Sequence, residues 1–123
     1  MKFKNKMAIV VRKDLEMSPG KLAGQCGHAA VGCLVQPIKS PKFDSNIIDN
    51  WFEEGQVKVI LQVATEKDLQ MLASKCLVAE IPYFCVHDFG LTELEPNTFT
   101  CIGIGPDLVE NVNKITGNLR LYK

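Results

Sequence analysis

Met7 to Val11, MAIVV, is an unbroken apolar run rich in β-branched residues and bounded by Lys6 and Arg12. Strand side chains alternate between the two faces of a sheet, so a run with no polar member belongs to a strand buried on both faces. Such a strand is central, and both sides of its sheet must be covered. That requirement points to an α/β fold before any other residue is considered.

The rest of the chain supplies the covering elements. Ser18 is suited to cap a helix, with Pro19 in the first position, where its missing N–H does no harm. This helix is predicted from Pro19 to about Gln36, stopped by Pro37. After a loop from Pro37 to Lys42, Asp44 or Ser45 caps a short helix ending at Gly55, and Val57 to Val63 reads as a second strand. Thr65 with Asp68 resembles a capping box opening a third helix, in which Leu69, Leu72, Ala73, Cys76 and Leu77 fall at helical spacing. That helix must end before Ile81-Pro82. Tyr83 to Val86 reads as a third strand, Phe99 to Ile104 as a fourth, and Asp107 as the cap of a last helix reaching Gly117. Strands separated by helices imply parallel crossovers, whereas the short third-to-fourth interval leaves room for an antiparallel return. The predicted fold is a three-layer α/β/α arrangement with a mixed four-stranded sheet and helices on both faces. Its 123 residues suit a single domain, 1–123.

The formal net charge is zero, which excludes the overall basic excess of a dedicated duplex-binding module and makes any nucleic acid contact local. The five cysteines, Cys26, Cys33, Cys76, Cys85 and Cys101, form no C-x-x-C pair and lie mostly in apolar stretches. They read as reduced, buried thiols of a cytoplasmic protein. The first residues carry too short an apolar run for a signal peptide, and no run approaches the roughly 20 apolar residues of a membrane span.

The first helix is the most informative element for chemistry. At about 100° per residue, Lys21, Gly24, Gln25, His28 and Gly32 fall on one stripe, which is expected to be the helix's only open side. Gly24, Gly27 and Gly32 inside the helix cost roughly 0.8 to 1.0 kcal/mol each relative to alanine, so close approach of sheet, partner or substrate is expected. Lys21 in the first turn opposes the helix macrodipole by about 0.3 to 1 kcal/mol, a conflict that a bound anion would remove. It is either a solvated surface lysine or part of an anion site. His28, one turn beyond Gln25, is either a general base or a hydrogen-bonded structural residue. Cys26 points about 200° away from His28 and cannot share a metal with it, and Cys85 with His87 gives only two ligands, so no metal site is expected.

A second stretch, His87-Asp88-Phe89-Gly90-Leu91-Thr92, follows directly on a strand. Carboxyl ends of strands are where open α/β sheets bind ligands, which favours a functional Asp88, although an Asx turn before Gly90 is the alternative. Asp88-Phe89-Gly90 is no kinase signature, because the other kinase elements are missing. Gly103-Ile104-Gly105-Pro106 is no dinucleotide fingerprint and reads as a strand end leading into a turn.

Two segments together, DLEMSPGKLAGQCGHA (Asp14 to Ala29) and DFGLTELEPNTFTCIGIGP (Asp88 to Pro106), resemble the archaeal and eukaryotic type of peptidyl-tRNA hydrolase. The resemblance runs from AIVVR to the closing KITGNLRLY. It implies a compact α/β homodimer in the cytoplasm, with no cofactor, no metal, and neither membrane nor DNA as a partner. The implied activity is hydrolysis of the ester between a peptide, or an N-blocked amino acid, and the 3′ end of tRNA, recycling peptidyl-tRNA released prematurely from ribosomes. The implied catalytic residues are Lys21, His28, Asp88, Thr92 and Thr100, with Gln25 and Gly90 on the substrate side. Ser18-Pro19 stands where the family commonly has Gly and Lys, and Phe89 replaces the usual alanine. A non-catalytic member that binds tRNA ends or a protein is the alternative, and a small-molecule esterase is a third reading.

Overall fold

The computed structural model describes residues 3–90 and 93–123. Among these residues the chain forms β1 (Asn5–Arg12), a 3-10 turn (Lys13–Leu15), α1 (Pro19–Val35), α2 (Asn46–Glu53), β2 (Lys58–Val63), α3 (Glu66–Ala79), β3 (Tyr83–Asp88), β4 (Thr98–Leu108), α4 (Val109–Thr116) and β5 (Arg120–Leu121). The strands make one mixed sheet in the order β3-β4-β1-β2-β5. β1 pairs parallel with β2 and antiparallel with β4, and β3 returns antiparallel to β4.

β1 is central, as its apolar run requires. Met7, Ala8, Ile9, Val10 and Val11 are all fully buried or within 1% of it. Burying each of the larger side chains contributes about 1.5 to 3 kcal/mol, so this strand anchors the core. Its alternating side chains enter two separate clusters. Ala8 and Val10 pack with Leu69, Leu72 and Cys76 of α3 and Val112 and Ile115 of α4. Met7, Ile9 and Val11 pack with Ala29 and Cys33 of α1 and Trp51 of α2.

Helix starts follow the local chemistry. Ser18 Oγ accepts from Lys21 N at α1, and Thr65 with Asp68 makes a complete capping box at α3. Asp107 behaves differently. It lies in β4 rather than capping α4, and its Oδ1 accepts from Leu108 N at 2.7 Å and Asn111 Nδ2 at 3.2 Å. The cause is that β4 continues through Gly103-Ile104-Gly105-Pro106, which is not a turn, to pair Leu108 with Asn5. A register irregularity opposite Met7 takes in Pro106, which has no N–H to give the ladder.

The sheet has five strands, not four. β5 is a two-residue strand antiparallel to β2, with Arg120 opposite Gln62 and Leu121 opposite Leu61. Both of its residues are exposed, so it has no apolar signature in the sequence.

α1 is also more open than its stripe suggests. Gln25, Ala29, Gly32 and Cys33 face the sheet, while Ala23, Val31, Leu34 and Val35 are exposed. Its glycines divide accordingly. A Cβ on Gly32 would lie 2.1 Å from the Phe84 ring, whereas one on Gly24 or Gly27 would meet nothing within 4 Å. Gly32→Ala is therefore expected to lower stability by about 1 to 3 kcal/mol, as overpacking does. Gly24→Ala should raise it by up to about 0.8 to 1.0 kcal/mol. Urea unfolding of the two variants checks the contrast; equal effects would mean that α1 does not seat against β3 at Gly32.

Candidate active site

α1 begins where β3 ends, and this brings the two informative segments together. Lys21 Nζ lies 2.5 Å from Asp88 Oδ1, with side chains only 7% and 6% exposed. Asp88 Oδ2 accepts from Gly90 N at 3.0 Å. The Asx turn and the ion pair are thus two halves of one carboxylate's environment. The hydrogen bond from Lys21, then that from Gly90, together with the nearby charges of Lys21 and His28, holds the Asp88 carboxyl below its usual range despite burial. Asp88 is ionised near neutral pH.

The cation in the first turn of α1 therefore meets an anion from the chain itself, 67 residues away. The conflict with the helix dipole is relieved by Asp88, and no phosphate is needed to account for Lys21.

One turn further along α1, Gln25 is buried, and its Oε1 accepts from Thr100 Oγ1 at 2.5 Å. Thr100 is fully buried. It sits at a bulge in β4, where pairing jumps from Val86 opposite Cys101 to His87 opposite Phe99. The bulge leaves Thr100 without a cross-strand partner and turns its hydroxyl toward Gln25 and Val86 O. Beneath Gln25, Cys101 Sγ donates to the Gln25 carbonyl at 3.5 Å.

His28 is exposed on the same side of α1. It belongs to the walls of two hollows of about 450 and 950 Å³, which share Lys21, Gly24, Gln25 and His28 as common lining. The smaller adds Ser18, Gly20 and Glu93. The larger extends between α1 and β3, where Asp88 and the 77% exposed Phe89 close one end.

Of the residues singled out in the sequence, Lys21, Gln25, His28 and Asp88 line one continuous site, Gly90 shapes its carboxylate, and Thr100 reaches it only through Gln25. Thr92 lies outside the described residues. The sequence reading missed Glu93, whose Oε1 accepts from Ser18 Oγ at 2.8 Å. No local signal links two residues 75 apart, and only the fold reveals that the helix cap is clasped to the segment after β3. His87 stacks on Phe99 with ring centroids 4.9 Å apart.

The thiols are poor nucleophiles here. Burial pushes Cys33, Cys76 and Cys101 up to about 12, and Cys26 and Cys85 are also raised by burial. Among the described residues no three His, Cys, Asp or Glu side chains cluster as metal ligands.

Residues 5–122 match the family model described as Peptidyl-tRNA hydrolase PTH2. A protein named peptidyl-tRNA hydrolase from Thermoplasma acidophilum is 43% identical over 120 residues, covering 94% of this chain and 97% of its own length. Proteins of the same name from Thermococcus sibiricus and Haloquadratum walsbyi are each 44% identical, covering 97% and 95% of this chain and 98% and 99% of theirs. Among solved structures, a protein of unknown function from Agrobacterium shares the fold, with a TM-score of 0.63 at 14% identity over 99% of this chain and 100% of that one. A family match spanning nearly every residue, and relatives aligned almost end to end, establish that this chain belongs to the peptidyl-tRNA hydrolase PTH2 family.

Proposed function

We propose that this protein hydrolyses the ester joining a peptide, or an N-blocked amino acid, to the 3′ end of tRNA, and so recycles peptidyl-tRNA released prematurely from ribosomes. The observation that carries the reading is the buried Lys21–Asp88 pair set where the two hollows meet. An ester substrate has an acyl half and a nucleotide half, and a site with two hollows sharing one wall suits both.

The chemistry needs a positioned water, donors for the tetrahedral oxyanion and a proton for the departing ribose oxygen. Asp88, held ionised, accepts a hydrogen bond from the water and aims it at the ester carbonyl. Lys21 offsets the charge that develops on the carbonyl oxygen. His28, on the shared wall, exchanges the proton that leaves the water and finally reaches O3′. The tetrahedral centre collapses with cleavage of the C–O3′ bond, giving a tRNA 3′ hydroxyl and a peptide carboxylic acid, which loses its remaining proton to solvent to become the carboxylate. Gln25 contributes its amide to the shared wall, and Thr100 fixes its orientation. Thr92 is assigned to the 3′ nucleotide by its sequence motif alone. With the thiols neutral, attack by water is favoured over a thioester route.

A single domain in three layers fits the two apolar clusters described above. A cytoplasmic setting suits five free cysteines, and no described helix is long and apolar enough to cross a membrane. A homodimer suits the exposed apolar Leu77 and Val78 on α3.

The test is release of N-acetyl-amino acid from charged tRNA in the presence of a chelator, beside a free aminoacyl-tRNA control. Turnover of the blocked substrate is expected to persist in EDTA. Binding of the tRNA without turnover would establish a non-catalytic member instead, and loss in EDTA restored by zinc would sink the cofactor-free mechanism.

A further inference from the structure

β3 is an edge strand, and its outer rim is only partly covered. Pro82 O accepts from Gly105 N, and Val86 O accepts from the Thr100 hydroxyl, so these positions turn toward β4. Main-chain groups alternate in direction along a strand, so the odd positions of β3 turn outward. Tyr83 does so visibly. Its N–H donates to Ile38 O at 3.0 Å and its carbonyl accepts from Ile38 N at 2.8 Å, one isolated antiparallel bridge. Cys85 and His87 share that orientation, and among the described residues no backbone segment pairs with them on this side.

The larger hollow follows this rim. Its wall includes Phe84, Cys85, Val86, His87, Asp88 and Phe89 in unbroken order. A hollow over one face of a strand would touch alternate residues, because side chains alternate. One that touches every residue in sequence runs along the strand's edge. The facing wall is α1, with the exposed Val31 and Val35, and Lys21 lies with Asp88 at the catalytic end.

We infer that the peptide half of the substrate binds along this rim as an added strand, its main chain hydrogen-bonded to Cys85 and His87. The inference rests on the reading of the site as one that cleaves peptidyl-tRNA. The hollow is continuous with that site, and the same edge already accepts an extended segment at Ile38. The esterified residue is the peptide's carboxyl end and lies at Asp88, the carboxyl end of β3. The peptide therefore runs parallel to β3, with its earlier residues trailing toward Phe84. Recognition of this kind reads the main chain and tolerates any side chain, which is what a substrate of arbitrary sequence demands. It also leaves a free aminoacyl group with no further amide to pair.

Parallel pairing engages only every second amide of the added strand. tRNA acylated with N-acetyl tetrapeptides, each N-methylated at one amide, reads this directly. kcat/KM is expected to fall about tenfold when a methyl removes a pairing N–H and less than about twofold at the positions between. Unmodified N-acetyl-aminoacyl-tRNA is the control. If it is not cleaved, the functional reading fails and takes the inference with it. If it is cleaved while the methylated series stays flat, or falls equally at every position, the added strand alone is overturned. Protection of the Cys85 and His87 amides from hydrogen exchange that grows with protein concentration, in the absence of substrate, would place a second copy on this edge and overturn it as well.

Discussion

Asp88→Asn is expected to lower kcat/KM on N-acetyl-aminoacyl-tRNA by about 10²- to 10⁴-fold, the range in which positioned acid–base groups act. The amide keeps the size of the carboxylate and can still accept from Gly90 N, so the turn survives. It cannot carry the negative charge that balances Lys21 and, in the proposed mechanism, orients the water. Stability is also expected to fall, by about 1 to 3 kcal/mol, because Lys21 keeps its charge beside a neutral partner. A falling melting temperature alone would leave open whether activity was lost with the fold. The double variant Lys21→Met/Asp88→Asn separates the two. It keeps the acceptor for Gly90 N and removes the buried cation that would otherwise be left without its anion. The double variant should therefore recover the stability that Asp88→Asn loses and remain inactive. Recovery of turnover with stability would show the pair to be structural only.

Lys21→Ala is expected to change both the rate and its dependence on pH. If Lys21 offsets the oxyanion, its removal should cost about 10²- to 10³-fold in kcat, as loss of an oxyanion donor does. The pH effect comes through Asp88. In the native protein its carboxyl is depressed, chiefly by the hydrogen bond from Lys21. A depressed carboxyl contributes stability above its unfolded value, about 3.9, that is lost as pH falls through the lower folded value. Without Lys21 the largest depressing cause is gone and desolvation remains, so the carboxyl rises. The native protein should then lose stability on acidification below about pH 4, and the variant should show a flatter profile. The acid limb of kcat/KM should move to higher pH in whatever activity remains. Identical melting-temperature profiles from pH 6 to 3 would rule out Lys21 as the group that tunes Asp88.

Features set by neighbouring residues are legible in the sequence. MAIVV has to be a central strand, Ser18-Pro19 has to open α1, and Thr65 with Asp68 has to open α3. Each is decided within a few positions, by burial pattern or by an unpaired N–H. What depends on distant partners is not legible. β5 forms because Gln62 and Leu61 offer an open edge, not because Arg120 and Leu121 favour a strand. β4 outruns its apolar stretch because β1 continues beside it as far as Asn5.

The site shows the same division. The stripe on α1 groups Lys21, Gln25 and His28, since helical spacing alone places them. That an anion would relieve Lys21 is legible from its place in the first helical turn, where a solvated lysine is the other reading. That Asp88 meets Lys21 is not, because Asp88 is near only in three dimensions. The motif around Thr100 presents it as a contact of the substrate, whereas the bulge in β4 buries it behind Gln25.

On the proposed reading, the wall common to the two hollows also governs product release. While the ester is intact, each half tethers the other, and weak contacts on either side of Lys21, Gln25 and His28 reinforce one another through the covalent bond. Hydrolysis cuts that tether on the wall itself. The carboxylate and the 3′ hydroxyl are then each held only by their own contacts. Departure becomes two independent events with no obligatory order.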